Sequence, residues 1–284
     1  MAYHLFHLSM GTRVNTMDAV QQVWNAQDYA ANSSAQYGWG CELVDKLTLL
    51  GDEHILDIGC GDGKLTALLA QRVPTGVVVG IDASAEMVAL ASERWGEGDR
   101  LMFQQMNAQE IRSATDLAGR FDVVFSNSAL HWIPDHPAVL AGVHHALRSG
   151  GQVLIQTPGA GNCAAFVDAA DRVRMMPRWC GYFTDFRFSW LFCELEDYVR
   201  WLPQAGFQID AIERQHKDMC HESREALAGW MRTTWLPYLA CVPEGERAAF
   251  IDAVVDGYLA DVPPDAAGRT HVAMVRLDIA AMKL

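Results

Sequence analysis

His54-Ile55-Leu56-Asp57-Ile58-Gly59-Cys60-Gly61-Asp62-Gly63, followed at once by Lys64-Leu65-Thr66, reads as a buried strand, a glycine turn and the start of a helix. Glycines at 59, 61 and 63 permit a tight turn, and their missing side chains let a ligand lie against bare backbone. The spacing is GxGxG. A dinucleotide site wants its third glycine one residue later, where helix and strand pack over a pyrophosphate. This turn therefore suits a ligand without a pyrophosphate. A glycine turn alone is a weak signal, so its neighbourhood has to carry the reading.

Strands and helices alternate outward from that turn, as in a parallel α/β sheet. Residues 54–58 form strand one. Lys64–Arg72 is predicted helical, with Leu65, Leu68 and Leu69 on one face. Residues 76–81 form a second, β-branched strand. Ala85–Trp95 is a helix that Ser84 can cap. Strands follow at 101–106 and 121–126. A helix over 137–147 is stopped by Ser149-Gly150-Gly151, and a fifth strand covers 152–156. Asp82 ends strand two about 20 residues after the glycines, where a carboxylate can accept both ribose hydroxyls of an adenosine. Asn107-Ala108 and Ser126-Asn127 end the next two strands. All of these strand ends meet at one edge of the sheet, the edge where open α/β folds bind ligands.

Beyond Pro158 the texture changes. Residues 159–204 carry Phe166, Trp179, Tyr182, Phe183, Phe186, Phe188, Trp190 and Phe192 with little alternation. A strand is expected over 208–215, two helices over 222–260 joined near Pro243, and a last strand over 271–282. The expected division is therefore a helical N-terminal cap (1–42), a cofactor core (43–158, 205–217 and 270–284), and a lid (159–204 and 218–269).

The whole chain has 284 residues, half of them hydrophobic, which is enough for one large domain with insertions. No stretch approaches the roughly 18 apolar residues of a membrane span. The opening residues lack a basic region followed by a long apolar one, so no secretory signal is read there and a cytoplasmic location is expected. A net charge of −13 repels polyanions, which speaks against a nucleic-acid partner. The seven cysteines include no CxxC pair and are read as reduced thiols, with no metal site. Oligomeric state cannot be read from the sequence.

The ordered set ILDIGCGDGKLT (55–66), GIDAS (80–84), NAQEI (107–111), FDVVFSNSALHWI (121–133) and LRSGG (147–151) resembles the class I S-adenosylmethionine-dependent methyltransferases. Within them it is most similar to the trans-aconitate and juvenile-hormone-acid methyltransferase group. Trp24-Asn25-Ala26 with Tyr29, Leu130-His131-Trp132-Ile133 with Asp135-His136, and Trp230 and Trp235 ahead of Phe250 and Tyr258 are similar to outer segments of that group. The resemblance implies an enzyme with a Rossmann-like sheet of seven strands, the last antiparallel, and helical, aromatic lid insertions.

It also implies S-adenosylmethionine as cofactor and a role for each matching residue. Gly59, Cys60 and Gly61 give backbone room to the methionine part, and Asp57 orients that loop. Asp82 and Ala83 meet the ribose, and Met87 packs on the adenine. Asn107 and Ala108 meet the adenine edge; the family more often has Asp at the position of Asn107. Asn127 lines the methyl-transfer end. Tyr29, Tyr37, Trp39, Trp132, Trp179, Phe183 and Trp235 are candidates for a substrate chamber. His131, just after strand four, is the candidate catalytic base or a wall residue.

The acceptor is expected to be small and largely apolar, methylated on oxygen (carboxylate or hydroxyl) or on carbon, as in secondary metabolism. Arg172, Arg174, Arg178 and Arg187 are the cations available for an acidic one. A non-catalytic cofactor-binding protein and a nicotinamide-dependent oxidoreductase are the rival readings.

Overall fold

A computed structural model describes residues 34–284. The calls on Trp24, Asn25, Ala26 and Tyr29 lie outside the described residues. Helix α1 spans Ser34–Val44, strand β1 His54–Ile58, α2 Lys64–Arg72, β2 Val77–Asp82, α3 Ala85–Trp95, β3 Leu101–Gln105 and β4 Phe121–Asn127. Then come α4 (His136–Ala146), β5 (Leu147–Pro158), α5 (Ala164–Arg174), α6 (Leu195–Gln204) and β6 (Phe207–His221). The chain closes with α7 (Arg224–Thr234), α8 (Leu236–Leu239), α9 (Glu244–Asp261) and β7 (Thr270–Lys283).

The seven strands lie in the order β3-β2-β1-β4-β5-β7-β6. β1 through β5 are parallel, and β7 runs antiparallel to β5 and β6. The parallel strands are apolar on both faces because helices cover both. Ile55, Val78 and Val123 point to the face under α1 and α2, packing on Leu43, Ala67 and Leu69. Their neighbours Leu56, Val79 and Val124 point to the other face, against Val139 and Leu140 of α4.

Local signals account for the helix starts. Ser84 Oγ accepts from Met87 N at 3.3 Å, Asp135 Oδ1 from Ala138 N at 2.9 Å and Ser223 Oγ from Ala226 N at 3.3 Å, so α3, α4 and α7 start on side-chain caps. The antiparallel pair β6–β7 extends beyond the expected spans, with Gln208 to His221 registering on Met282 to Thr270.

Two segments of the expected lid sit elsewhere. Helix α6 packs on the sheet's flank beside α4, burying Tyr198 and Leu202 there. Its strongly amphipathic pattern, with Tyr198, Trp201 and Leu202 on one side, gives it an apolar stripe to bury. Residues 218–221 belong to the edge ladder of β6. Helices α5, α7, α8 and α9 form a separate apolar cluster above the strand ends, centred on Phe166, Trp230, Trp235 and Tyr258. Phe166 has ring centroids 5.1, 4.7 and 4.9 Å from those of these three residues.

Candidate functional site

The glycine turn is held from below by two carboxylates, Asp57, which is buried, and Asp82, which is half-buried. Asp57 accepts from Thr66 Oγ1 at 2.7 Å, which ties the end of β1 to the first turn of α2. Burial, reinforced by Asp82, pushes the Asp57 carboxyl up to about 7. Asp82 accepts from Gly61 N at 3.0 Å through one oxygen and from Ser84 N at 2.8 Å through the other. Burial raises its carboxyl too. The carboxylate that the sequence reading assigned to a ribose shapes the turn on one side and the helix entry on the other.

Gly59 and Gly61 have φ of 75° and 53°, in the region that side chains rarely adopt. A Cβ at Gly61 would meet nothing within 4 Å, so open space lies over that backbone. A Cβ at Gly59 would lie 2.1 Å from Ala129 Cβ. The turn is therefore pressed against the segment that leaves β4. Cys60 is buried under it, and burial beside Asp57 and Asp82 pushes its thiol well up, which makes it packing and not a nucleophile.

Around the open space stand the other expected groups. Met87 is buried, while Ala83 is exposed and its carbonyl accepts from Gln105 Nε2 at 3.1 Å. Asn107 is exposed beyond β3; its side-chain carbonyl accepts from Gln109 N at 3.0 Å and caps a short helix in which Ala108 is buried. That carbonyl keeps a second lone pair. A carboxylate for hydroxyls, an apolar wall at Met87 and open backbone at Gly61 together fit a nucleoside with an amino-acid tail. S-adenosylmethionine has that shape.

Across Ala129 the character of the site changes. A chamber of about 540 Å³, partly open to solvent, lies above the ends of β4, β5 and β7. Its walls include Trp39, Trp132, Trp190, Phe192, Trp230 and Trp235, and its polar groups are Ser128, His131, Asn162, Thr234 and Arg276. Arg276 is 2% exposed. It donates to Ser128 Oγ and, at 3.4 Å, to Gln156 Oε1, and its guanidinium sits 5.4 Å from the Trp39 ring centroid. Gln156 also donates to Asp278 at 2.8 Å, and Asp278 accepts from Lys46 of the segment after α1 at 2.6 Å. Burial, with the Arg276 charge, holds His131 well below the usual histidine range. Its Nδ1 is buried without a hydrogen-bond partner among the described residues, as are Nε1 of Trp190 and of Trp235.

Trp39, Trp132, Trp235 and His131 are brought together here. Asn127 ends β4 beside the chamber's Ser128, and a Cβ on Gly40 of α1 would lie 2.9 Å from its Nδ2. Trp179 and Phe183 are not in the chamber. They are buried in the lid core on Phe250, each with a centroid separation of 5.3 Å, because the lid needs its own apolar centre. Tyr37 is 40% exposed and is not among the chamber walls.

The four insertion arginines do not line the chamber either. Arg172 pairs with Asp261, Arg174 with Asp171 and Arg178 with Glu246, and Arg187 is exposed. His136 is the first residue of α4. It is buried, with Nε2 2.8 Å from Leu130 O and Nδ1 2.8 Å from Tyr198 OH. Arg276, Gln156 and Asn162 escaped the sequence reading. The signal for Arg276 was a charged pair, Arg276 and Asp278, inside an otherwise apolar last strand.

A family model described as a methyltransferase domain matches residues 34–212. The chain belongs to that family. It is an S-adenosylmethionine-dependent methyltransferase. An uncharacterised methyltransferase of Schizosaccharomyces pombe is 33% identical over 202 residues, covering 68% of this chain and 74% of the relative. The trans-aconitate 2-methyltransferase of Deinococcus radiodurans is 29% identical over 264 residues, covering 89% of this chain and 96% of the relative. Among solved structures, the Haemonchus contortus phosphoethanolamine N-methyltransferase 2, in complex with phosphomonomethylethanolamine and S-adenosylhomocysteine, has the same fold. Its TM-score is 0.56 at 19% identity, covering 91% of this chain and 57% of that one. No helix among the described residues of this methyltransferase is long and apolar enough to cross a membrane.

Proposed function

We propose that the protein transfers a methyl group to an oxygen of a small, largely apolar molecule enclosed in the aromatic chamber. The observation that carries this reading is the common wall: the segment Ser128–Trp132 lines the chamber, and its Ala129 abuts Gly59 of the glycine turn. A ligand on the turn and one in the chamber are neighbours across that wall. The enclosing tryptophans exclude water and can favour positive charge near their faces.

S-adenosylmethionine supplies, when bound, a methyl group already activated on a sulfonium. The chain's task is then to hold and align. Asp82 is suited to the ribose hydroxyls, and Asp57 with Thr66 fixes the turn that receives the amino-acid tail. Met87, Ala83, Asn107 and Ala108 surround the adenosine, and Asn127 stands at the transfer end. His131, neutral at physiological pH, can take a proton from a hydroxyl acceptor, whereas a carboxylate acceptor needs no base. A net charge of −13 and a walled chamber disfavour nucleic acid as the acceptor.

Calorimetric titration with S-adenosylmethionine, S-adenosylhomocysteine and NAD tests the reading, with Asp82→Ala as control. Micromolar binding of the first two, lost in the variant, is expected. Binding of NAD alone would overturn it.

A further inference from the structure

Resting on the reading of the aromatic chamber as the acceptor site, we infer that His136 is a positioning residue that ties together two of the chamber's walls, the segment 128–132 and the strap 190–193. Ser128, His131 and Trp132 line the chamber from the first, and Trp190 and Phe192 from the second. The first holds one short helical turn, and the second has no regular structure apart from a bridge between Cys193 and Gly159. Their mutual placement therefore rests on individual hydrogen bonds. One is direct: Leu191 N donates to His131 O at 2.8 Å.

His136, at the start of α4, supplies the other link. Its Nε2 lies 2.8 Å from Leu130 O, and its Nδ1 lies 2.8 Å from Tyr198 OH of α6 and 3.5 Å from Cys193 Sγ. A carbonyl can only accept, so Nε2 carries the proton and Nδ1 keeps its lone pair. The Tyr198 hydroxyl donates to that lone pair, with the Cys193 thiol beside it. Burial pushes the Cys193 thiol up to about 12 and the Tyr198 phenol well up, so both keep their protons. Burial also holds the His136 imidazole below the usual histidine range, although Asp135 and Asp197 lie near. The ring stays neutral, with one nitrogen committed to each side.

Packing alone does not ask for histidine here. The ring is fully buried, with centroids 5.7 and 5.8 Å from those of Tyr198 and Trp201, and phenylalanine would fill the same place. What phenylalanine lacks is the pair of bonds that sets Leu130 O against Tyr198 and the strap. A buried polar ring is tolerated only when such bonds are made. The consequence reaches the proposed reaction through Ala129, the residue before Leu130, which abuts Gly59 of the glycine turn. A shift of Leu130 would move the wall between turn and chamber, and alignment for group transfer is sensitive to displacements of about 1 Å.

The test is native-state amide exchange followed by NMR at Ile133, whose N–H also donates to Leu130 O, and at Leu191, with the amides of β1 as reference. His136→Phe keeps a planar ring against Tyr198 and Trp201 and removes both bonds. His136→Gln offers an amide N–H to Leu130 O and an amide oxygen to the Tyr198 hydroxyl. Relative to β1, exchange at Ile133 and Leu191 should speed up at least about tenfold in His136→Phe and stay within about threefold of wild type in His136→Gln. In the wild type, the nitrogen-15 shifts of the His136 ring should report a neutral imidazole with its proton on Nε2.

A proton on Nδ1, wild-type exchange in His136→Phe, or equal acceleration in the two variants overturns the inference. Tyr198→Phe removes a single hydroxyl and should speed exchange at Leu191 while β1 is unchanged. No change at Leu191 in that variant also overturns it, even if His136→Phe does not fold. Calorimetry of the wild type with S-adenosylhomocysteine runs alongside. If that ligand does not bind, the functional reading has failed, while the tie itself is still judged by exchange.

Discussion

The two halves of the strand edge are built on opposite principles. The half proposed for the cofactor, at the ends of β1, β2 and β3, is made of backbone and carboxylates drawn from short consecutive stretches: 57–63, 82–87 and 107–108. The acceptor half, above β4, β5 and β7, is made of side chains gathered from positions 39, 128–132, 158–163, 190–192, 219, 230–235 and 274–276. A half whose ligand never changes can be encoded in one local motif. A half that selects an acceptor is assembled from distant surfaces, and each wall residue can vary without disturbing the turn. Ala129 is where the two touch.

The largest expected effect separates the halves outright. Gly61→Val places a β-branched side chain at φ 53°, in the space over the turn. S-adenosylhomocysteine affinity should fall by about 100-fold or more by calorimetry, while intrinsic tryptophan fluorescence changes little and the melting temperature falls only by the several degrees that about 1–3 kcal/mol of backbone strain costs. Collapse of the fluorescence signal would mean the halves are not separable.

Next is the lid's own stability. Phe166 is fully buried among Trp230, Trp235 and Tyr258. Phe166→Ala should cost about 3–5 kcal/mol in denaturant unfolding. Loss of the lid signal is expected to precede that of the sheet, and a single concerted transition of unchanged midpoint would show that the lid cluster contributes nothing of its own.

The carboxylates under the turn sharpen the comparison through pH. Asp57 is raised to about 7 in the folded chain, against about 3.9 for an ordinary Asp. The folded state holds that proton more tightly, so the group's contribution to stability is complete below pH ~4 and is lost as pH climbs to about 7. Buried neutral histidines such as His131 act in the opposite direction. The informative quantity is therefore the difference between wild type and Asp57→Asn in melting temperature of the ligand-free protein from pH 5 to 8. Wild type should lose ground relative to the variant as pH rises, and a constant difference would remove Asp57 as a titrating group.

The smallest effect is expected at His131. With a carboxylate acceptor, His131→Asn should lower the turnover rate by less than about tenfold, with a rate profile flat from pH 6 to 8. A loss of 10²–10⁴ would mark a general base and a hydroxyl nucleophile.

The local half of the protein was legible before the structure. The strand, glycine turn and helix at 54–72, the Asp82 carboxylate and the Ser84 cap all rest on interactions within a few residues or across adjacent parallel strands. The lid was legible only as an excess of aromatics. Trp179, Phe183 and Trp235 look alike in sequence, yet the first two fill the lid core and the third lines the chamber. His136, the first residue of α4, is also a buried link between Leu130 and Tyr198, and nothing in its neighbouring sequence marks that role.

The sequence by itself determined the sheet and the turn, because turn geometry and strand alternation are set by neighbouring residues, and it carried the motifs whose family resemblance implied the cofactor. Only the tertiary structure decided which aromatics line the chamber and that Arg276 reaches it. Those facts depend on β7 returning antiparallel between β5 and β6 and on α1 laying Trp39 over Arg276. Contacts between residues more than two hundred positions apart leave no periodicity in the chain for a reader to find.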